Sequence, residues 1–465
     1  MIDTSSIRRK VLELAMRGEL SERKESDSSS ERLYELILEK KNELVKAGII
    51  RKDGKLEKAE AEYDIPQKWI WVKFGKIITL QSGQDLSGTE YNSDNVSIPY
   101  MTGASNFCED GSLVINRWTN KPKAYARRGD ILISCKGTVG KLSILDEDEV
   151  HIARQIMGIK TYLIDINFAK FFVESGVEKI KAASKGLIPG IERNDILNMN
   201  CPLPPIEEQK RIVKRIIEIF AILDSINELQ KSYVADIEIL RSKLIDAGIQ
   251  GKLTKQLPED GTAEELYTII QNDKARLIKE GKIKKGKRLA TIEKNEIPYS
   301  IPKNWKWVRV GDVINEVIVP QRDKPIFSGD IPWCRIEDRE GILLNGSKSG
   351  QYVSEETVKK MNLRVCPVGT VLAACSGASI GTIIVNTVEC CTNQTFNGLV
   401  CNEYLYNWFL FFYLQSTIEA QKRMGSGSAM AYISQDKFRN MVMPLPPLAE
   451  QKRIVHRINE ILSIV

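Results

Sequence analysis

The stretch PLPPIEEQKRIVKRIIEI at residues 202–219 recurs as PLPPLAEQKRIVHRINEI at residues 444–461. Fourteen of the eighteen positions are identical, and the two copies begin 242 residues apart. So long a period indicates duplicated domains, because solenoid units repeat every ~20–50 residues. The chain of 465 residues is also long enough for two or more domains. It must therefore fold as two related halves and not around one continuous core.

The duplication extends well beyond this stretch. Three further segments recur with offsets between 233 and 240 residues. They are IPQKWIWVKFGKI at 65–77 with IPKNWKWVRVGDV at 301–313, residues 128–144 with 368–384, and residues 31–52 with 264–285. The chain is therefore a tandem duplication over most of its length.

Each half alternates a charged, helical type of sequence with a type that is rich in short β-like runs broken by glycine. The runs WIWV and WKWV predict strands, and DILIS and TVLAAC predict buried strands that lead into glycine-rich turns. This alternation predicts the mixed α/β (α+β) class, with two α/β globular domains joined by helices. The predicted helical regions are 1–63, 202–299 and 443–465, and the predicted globular domains are 64–201 and 300–442.

A strict 4-3 spacing of apolar residues follows the first PLPP motif and predicts the seam of a coiled coil. Its members are Ile212, Ile216, Ile219, Leu223, Ile226, Tyr233, Ile237, Leu240 and Leu244, with one polar break at Gln230. About 40 helical residues would span roughly 60 Å. Pro204 and Pro205 stand where a helix can begin, and Gly248 and Gly251 where it can end.

Two capping signals predict the helix that follows in each copy. Thr262 with Glu265 three residues later forms a capping-box pattern, and Ser28 with Glu31 gives the same pattern in the first copy. A third helix is predicted at the end of the chain, where Ile454, Ile458, Ile461 and Val465 repeat the seam.

The two ends of the chain match the two ends of the central helix. Residues 1–18 correspond to 234–251, and residues 444–465 correspond to 202–223. We therefore expect the terminal helices to lie end to end along the central helix and antiparallel to it, in a near-cyclic molecule with a pseudo-twofold axis. Val465 would then lie within roughly 20 Å of Ser5. The alternative is that residues 1–18 pack locally on the first globular domain or fray, as termini often do.

Composition narrows the classes further. Nine cysteines without CxxC spacing indicate reduced thiols, and the start of the chain does not resemble a signal peptide, so we expect a cytoplasmic protein. The most apolar run, YLYNWFLFFYL at 404–414, is about half the ~20 residues that a membrane span needs and is predicted to be buried core.

No catalytic pattern emerges from the sequence. His151 and His456 are the two histidines, which argues against a catalytic triad and against a histidine-rich metal site. GKIKKGK at 281–287 is followed by Arg288, where a phosphate-binding P-loop needs Ser or Thr. We therefore expect no catalytic residue, no metal and no cofactor bound by this chain.

Because no catalytic pattern is found, binding is the class of function that remains. The net charge of +6 permits a nucleic-acid partner without demanding one. Hydrogen-bond donors cluster in and near the glycine-rich turns after the buried strands, where they could contact phosphates and base edges. The candidates are Lys136, Thr138, Lys141, Arg154, Gln155 and Lys185 in the first copy, and Ser376, Ser379, Thr382, Asn393, Gln394, Ser426 and Ser428 in the second. In this comparison Arg154 and Gln155 match Asn393 and Gln394. The plain alternative is that these are ordinary solvated turns.

The repeated PLPP-xx-EQ-xx-IV motif resembles the helix starts of type I restriction-modification specificity subunits. The IP-xx-W-xx-V-xx-G segments at 65–75 and 301–311 resemble the start of that family's target-recognition domains. The resemblance covers nearly the whole chain, and the doubled motif at this spacing is specific. It implies a non-catalytic DNA-recognition subunit with two α/β target-recognition domains joined by an antiparallel coiled coil.

The same resemblance implies a division of labour. Each target-recognition domain reads one half of a split double-stranded DNA site, and the helices set the unread spacer. Two modification (methyltransferase) subunits dock on the helices and methylate adenine N6 with S-adenosylmethionine. Restriction (endonuclease and translocase) subunits join and cleave DNA with ATP, so both cofactors are expected on partner subunits.

Two readings from other classes remain open. A pure protein scaffold with duplicated binding domains is compatible with the modest net charge, and weak salt dependence of DNA binding would favour it. A stand-alone enzyme is disfavoured by the missing motifs. The DNA target does not follow from the sequence, because base readout depends on loop geometry and on DNA shape.

Overall fold

The protein is described by a computed structural model that covers every residue except 53, 184–189, 320–323, 426–430 and 465. It divides into two compact units, unit 1 (Met1–Lys231) and unit 2 (Ser232–Val465). No helix among the described residues is long and apolar enough to cross a membrane.

Unit 1 combines an α/β domain with helices from both of its ends. Its helices are α1 (Thr4–Met16), α2 (Ser30–Lys46), α3 (Phe74–Ile77), α4 (Ile166–Ala183), α5 (Arg193–Leu197) and the first part of α6 (Ile206–Ile249). Its strands are β1 (Ile70–Lys73), β2 (Ile78–Ser82), β3 (Ile98–Met101), β4 (Trp118–Thr119), β5 (Tyr125–Arg127), β6 (Ile131–Ser134), β7 (Leu142–Ile144), β8 (Glu149–Ile152), β9 (Ile156–Thr161) and β10 (Asn200–Leu203).

Two four-stranded sheets form the body of this domain, in the orders β2-β9-β6-β7 and β4-β3-β8-β5. The first sheet is antiparallel throughout, and β3 pairs parallel with β8 in the second. Alternate side chains of β6 enter different clusters: Ile131 and Ile133 pack in the cluster that contains Phe168 of α4, whereas Leu132 packs with residues of the second sheet. All four β6 residues are buried, as the run DILIS predicts.

Unit 2 repeats this plan with different strand lengths. Its remaining helices are α7 (Ala263–Lys279), α8 (Val310–Val313), α9 (Glu355–Lys360), α10 (Asn407–Ser416), α11 (Ile418–Gly425), α12 (Gln435–Asn440) and α13 (Leu448–Leu462). Its strands are β11 (Lys306–Arg309), β12 (Ile314–Ile318), β13 (Ile331–Cys334), β14 (Leu343–Leu344), β15 (Tyr352–Val353), β16 (Val371–Ala374), β17 (Ile383–Asn386), β18 (Cys391–Thr392), β19 (Phe396–Cys401) and β20 (Val442–Leu445).

The sheets of unit 2 are five-stranded, β12-β19-β16-β17-β14, and three-stranded, β15-β13-β18. Strand β16 divides its side chains between two clusters as β6 does, with Val371 and Ala373 in one and Leu372 in the other. The apolar run at 404–414 contributes α10, in which Phe409 to Leu414 are buried. Both sequence predictions for this unit, the buried strand and the buried apolar run, are confirmed.

The first and last strands of each α/β domain pair with one another. Strand β1 runs antiparallel to β10 with Trp71 opposite Pro202, and β11 runs antiparallel to β20 with Trp307 opposite Pro444. The chain therefore enters and leaves each domain at one place, directly before the helix that begins after the PLPP motif.

The long helix α6 has 44 residues, which confirms the helix predicted from the 4-3 spacing. The capping box of Thr262 and Glu265 is confirmed at the start of α7. The cap predicted at Ser28 is wrong by one residue. Ser29 has the extended backbone of an N-cap and accepts the Arg32 amide, whereas the Ser28 hydroxyl donates to Glu207 at 2.9 Å.

Within unit 1, α1 lies antiparallel along α6. The Ile2 carbonyl accepts from Gln230 at 3.2 Å, the Thr4 hydroxyl donates to Asn227 at 2.6 Å, and Arg8 pairs with Asp224. Rising residue numbers on α1 thus meet falling numbers on α6. The antiparallel packing of the N-terminal helix is confirmed, and the alternative of fraying is wrong. The helix also packs on the first α/β domain, because Leu12 and Met16 belong to the cluster that contains Phe168 of α4.

Within unit 2, α13 packs on the last turns of α6. A Cβ on Gly248 would lie 2.7 Å from Ile458, and Asn459 and Leu462 line a cavity with Arg241 and Ile245. This packing is antiparallel, as predicted. The near-cyclic arrangement and its pseudo-twofold axis stay predictions, and the expected distance between Ser5 and Val465 involves a residue outside the described part of the chain.

The predicted seam is buried only where a terminal helix accompanies α6. Ile212, Ile216, Leu223, Ile454 and Ile458 are buried, and Ile219, Ile226, Ile237, Leu244 and Ile461 are half-buried. Tyr233 and Leu240 are 63% and 49% exposed, so the predicted burial of these two seam positions is wrong. Tyr233 lies between the last contact of α1, at Gln230, and the first residue of the cavity beside α13, Glu238. Leu240 lies beyond Glu238 but is not among the α6 residues that line this cavity.

Candidate functional site

The repeated motif forms a joint between each long helix and the α/β domain before it. In unit 1 the buried Glu208 accepts the Trp69 indole N–H at 2.8 Å and the Ser21 hydroxyl at 3.1 Å. In unit 2 the buried Glu450 accepts the Trp305 indole N–H, also at 2.8 Å, with Thr254 and Gln256 on its other oxygen. The repeated glutamate of the motif therefore has the same structural role in both copies.

The glutamine of the motif fixes the turn before the helix. Gln209 donates to the Pro204 carbonyl at 2.9 Å and accepts the Asp165 amide at 2.9 Å. Gln451 donates to the Pro446 carbonyl and accepts the Tyr406 amide, both at 2.9 Å. Each glutamine is fully buried, so the turn and the start of a domain helix are tied together inside the protein.

The arginine of the motif completes the joint. Arg211 binds Asp27 through two guanidinium nitrogens, and Arg453 binds Asp260 in the same way. These hydrogen bonds lower the pKa of both carboxyl groups, which keeps them ionised although their side chains are 3% exposed. The start of each repeated helix is thus tied to its α/β domain through the glutamate and the glutamine. The arginine ties it to the segment before α2 or α7.

At one edge of the unit 1 domain, the predicted donor loops come together. The Cys135 amide bonds to the Gln155 carbonyl at 2.8 Å, and the Ala153 amide bonds to the Met101 carbonyl at 2.9 Å. The turn after β6, the turn before β9 and the loop after β3 therefore form one surface, which we call edge 1 (residues 83–85, 102–106, 136–141 and 153–155). A Cβ on Gly103 would lie 2.4 Å from the Gln155 amide oxygen, so glycine permits this close approach.

The candidate residues of edge 1 differ in their availability. Lys136, Thr138 and Gln155 are exposed. Arg154 is exposed but forms an ion pair with Asp85 at 2.6 Å. The Lys141 ammonium is half-buried and donates to the Phe107 carbonyl at 2.9 Å, so it supports the loop after β3 instead of extending into solvent.

Unit 2 has a corresponding surface, edge 2 (residues 335–338, 376–382 and 393–395). The Cys375 amide bonds to the Thr395 carbonyl at 2.7 Å, and the Asn393 amide bonds to the Cys334 carbonyl at 3.1 Å. Gln394 is exposed. The other predicted donors here are half-buried: Ser376, Ser379, Thr382 and Asn393.

These hydrogen bonds correct the predicted correspondence between the two edges. Ala153 and Asn393 make the same backbone contact, and so do Gln155 and Thr395. Arg154 therefore corresponds to Gln394, one position away from the pairing read from the sequence. Residues 153–155 and 393–395 form a short stretch without identical residues in the two copies. The sequence therefore could not show which residues correspond.

Three candidates cannot be placed. Lys185, Ser426 and Ser428 lie outside the described residues. The chain segments next to them do reach the edges, since the Ile191 amide bonds to the Cys135 carbonyl at 3.0 Å and the Ile433 amide to the Cys375 carbonyl at 2.8 Å.

Sequence reasoning missed the buried polar residues that shape the loop after β3 and its counterpart after β13. Asn106 is fully buried, and its side-chain oxygen accepts the Thr102 and Gly103 amides at 2.7 and 3.2 Å. Asp338 is 3% exposed and accepts the Arg335 and Lys348 amides at 2.6 and 2.8 Å. No sequence motif marks either residue, because each one binds backbone groups of its own loop.

His151 links edge 1 to the second sheet. Its Nδ1 accepts the Ala124 amide at 3.1 Å and the Lys123 amide at 3.2 Å, and its Nε2 lies 2.8 Å from the Gln84 carbonyl. This geometry requires a neutral ring that donates from Nε2. The ring is fully buried, and burial lowers the pKa of His151 below its ordinary 6.5.

Unit 1 is therefore expected to lose stability as the pH falls below the unfolded-state pKa of His151, near 6.5. Because the folded pKa is the lower one, the unfolded state binds the proton first, and stability is fully present only above that pH. Urea unfolding at pH values between about 7.5 and about 5.5 measures the effect. Cys391 occupies the matching position in unit 2. A His151→Gln variant that keeps the same pH dependence would contradict the assignment.

The geometry defines a duplicated binding protein with two edges of one plan and different side chains. A family model described as the type I restriction modification DNA specificity domain matches residues 66–233 and again residues 302–464. The two matches cover more than half of the chain, and the chain belongs to this family.

Curated relatives agree over nearly the full length. The EcoAI and EcoEI type I restriction enzyme specificity subunits of Escherichia coli are each 24% identical, over 98% of this chain and 88% and 89% of theirs. A putative MjaX specificity subunit of Methanocaldococcus jannaschii is 30% identical over 41% of this chain and 44% of its own.

Solved structures agree in fold. The HsdS subunit from Thermoanaerobacter tengcongensis matches with a TM-score of 0.50 and 20% identity over 87% of this chain and 92% of its own. A chain solved in work on complex assembly and conformational transition of the type I R-M system matches with a TM-score of 0.55 and 19% identity over 86% and 92%. The predicted mixed α/β fold with two domains and a long helix is confirmed.

Proposed function

We propose that this chain is the DNA-recognition subunit of a type I restriction-modification complex, in which each α/β domain reads one half of a bipartite double-stranded site. One observation carries the proposal. The same α/β plan occurs twice, and each copy presents matching loops whose donors differ, Arg154 at edge 1 and Gln394 at edge 2. Two domains of the same fold with different side chains at their edges suit a target made of two different half-sites.

The partners follow from this role. The helices α1, α6 and α13 would hold two modification subunits, which carry S-adenosylmethionine and methylate adenine N6. Restriction subunits with ATP would join the same assembly. This chain would supply position and sequence choice without catalytic residues, and the rigid joints at Glu208 and Glu450 support that role because they fix each reader relative to its helix.

A domain exchange tests the proposal. Replacing residues 64–203, which keeps β1 and β10 together, with the same domain of a relative is expected to change one half of the methylated site and to leave the other half and the spacer unchanged. Sequencing of N6-methyladenine in cells that carry the exchanged chain and its modification partner measures this.

The reciprocal exchange of residues 300–445, which contains β11 and β20, is the matched control and should change the other half. Changes in both halves from a single exchange would contradict independent readers. Binding of the complex to DNA that scarcely weakens with salt would favour the protein-scaffold alternative, because phosphate contacts make log K fall by about 0.9 per contact with log salt.

A further inference from the structure

Arg335 follows β13 and begins the first loop of edge 2. Among the described residues its guanidinium has no hydrogen bond, ion pair or aromatic contact, and its Nε is withdrawn from solvent. The residue as a whole is half-buried. Nε is the one nitrogen of this side chain that is both fully shielded and without a partner, so the two terminal nitrogens keep some exposure.

This state is unusual for an arginine of unit 2. Within residues 300–464, and outside the gaps, Arg335 is the one arginine whose guanidinium lacks a polar partner. The others bind carboxylates, as Arg364 binds Glu316, or carbonyl groups, as Arg339 binds Gly341 at 3.2 Å.

The buried carboxylate of its own loop, Asp338, is already engaged. Asp338 accepts the Arg335 amide on one oxygen, and the Lys348 and Ser349 amides at 2.8 and 3.1 Å on the other. The Asp338 carboxylate is therefore engaged by the backbone donors that shape the loop. The guanidinium stays uncompensated, and an external acceptor would satisfy it.

Arg335 lies next to the segment of edge 2 that contains Asn393 and Gln394. The Asn393 amide bonds to the Cys334 carbonyl, which belongs to the peptide unit before Arg335, so the two residues are adjacent on the surface of edge 2. Gln394 follows directly and is exposed. The Asn393 side-chain oxygen accepts the Thr395 amide at 3.2 Å, so Gln394 is the exposed amide of this segment. A guanidinium and an amide are groups that read base edges in a major groove.

We propose that Arg335 is a specificity-determining residue of unit 2 that reads a guanine by donating to its O6 and N7. The inference rests on the proposed function and names one reader within it. Thr102 is the corresponding position of unit 1, because Met101 and Cys334 accept equivalent amides. The half-site read by unit 1 therefore lacks this arginine contact, and the two half-sites differ in sequence.

The test uses the complex of the full chain with its modification subunits. For Arg335→Ala, methylome sequencing is expected to show one guanine position of one half-site become degenerate, with the other half-site and the spacer unchanged. Binding to duplexes that carry the original base is expected to weaken by roughly 5- to 150-fold, and discrimination at that position to disappear. Arg335→Lys should restore charge but not discrimination, because an ammonium lacks the planar fork.

Arg339→Ala is the matched control, since Arg339 is exposed in the same loop and bonds only to the Gly341 carbonyl. It should leave the target unchanged. An Arg335→Ala complex that weakens equally on all duplexes, with a salt slope reduced by about one, would show a phosphate contact and overturn the proposal. An unchanged target in a folded variant would overturn it as well. A wild-type complex without any bipartite target would instead overturn the proposed function itself.

Discussion

Insertion of seven helical residues between Lys231 and Ile237 is expected to lengthen the unread spacer of the DNA target by about three base pairs. Seven residues add about 10 Å to a helix at 1.5 Å each and turn it by about 700°, only ~20° short of two full turns. In B-DNA, about 10 Å corresponds to three base pairs. The site lies after the last contact of α1 with α6, at Gln230, and before the cavity beside α13 that begins at Glu238.

Methylome sequencing of cells with the inserted variant and its modification partner measures the spacer. An insertion of five residues is the matched control, because it turns the helix by about 500° and would face the second reader away from the duplex. We expect it to abolish methylation. Substitution of the exposed Tyr233 by Ala keeps the length and should leave the spacer unchanged. A seven-residue insertion that methylates the original site would show that α6 does not set the spacer.

Glu208→Ala is expected to lower the free energy of unfolding of unit 1 by about 2–4 kcal/mol. Glu208 is 2% exposed and accepts the Trp69 indole at 2.8 Å, and its removal leaves a buried N–H without a partner. Hydrogen bonds to charged groups contribute about 1.5–3 kcal/mol, and an unsatisfied buried donor costs about 1–3 kcal/mol. Urea unfolding followed by tryptophan fluorescence measures the loss.

The duplication offers a matched variant. Glu450→Ala removes the same bond from Trp305 and should destabilise unit 2 by a similar amount. Glu218→Ala, which removes only an exposed pair with Arg215 in α6, should cost about 0.5 kcal/mol or less. If Glu208→Ala were as mild as Glu218→Ala, the joint would not hold the helix to its domain.

Features with a local cause could be predicted from the sequence. The 4-3 spacing gives α6, the Thr262 capping box gives the start of α7, and the apolar run at 404–414 gives α10. Each depends on residues within a few turns of one another, so periodicity and caps suffice. The turns after the buried strands were also predicted to carry the candidate donors, and the structure brings those described turns to one edge in each unit.

Features that depend on distant partners could not be predicted. Sequence gives no sign that Lys141 is occupied by the Phe107 carbonyl or that Arg154 is paired with Asp85. The sequence also provides no reason to select Arg335, because an arginine without a partner can be recognised only when the positions of its neighbours are known. The exposed Tyr233 shows the same limit: its spacing is that of a coiled coil, but burial needs a second helix alongside.

The packing of α1 on α6 has a consequence for biosynthesis. Arg8 and Asp224 are 216 positions apart, and Ile2 and Gln230 are 228 apart. At roughly 5–20 residues per second, a ribosome needs about 10–45 seconds to deliver the partner of α1. Throughout that interval Thr4 and Arg8 belong to a nascent helix whose partners on α6, Asn227 and Asp224, have not yet been made. The contacts between α1 and α6 are thus among the last of unit 1 to form.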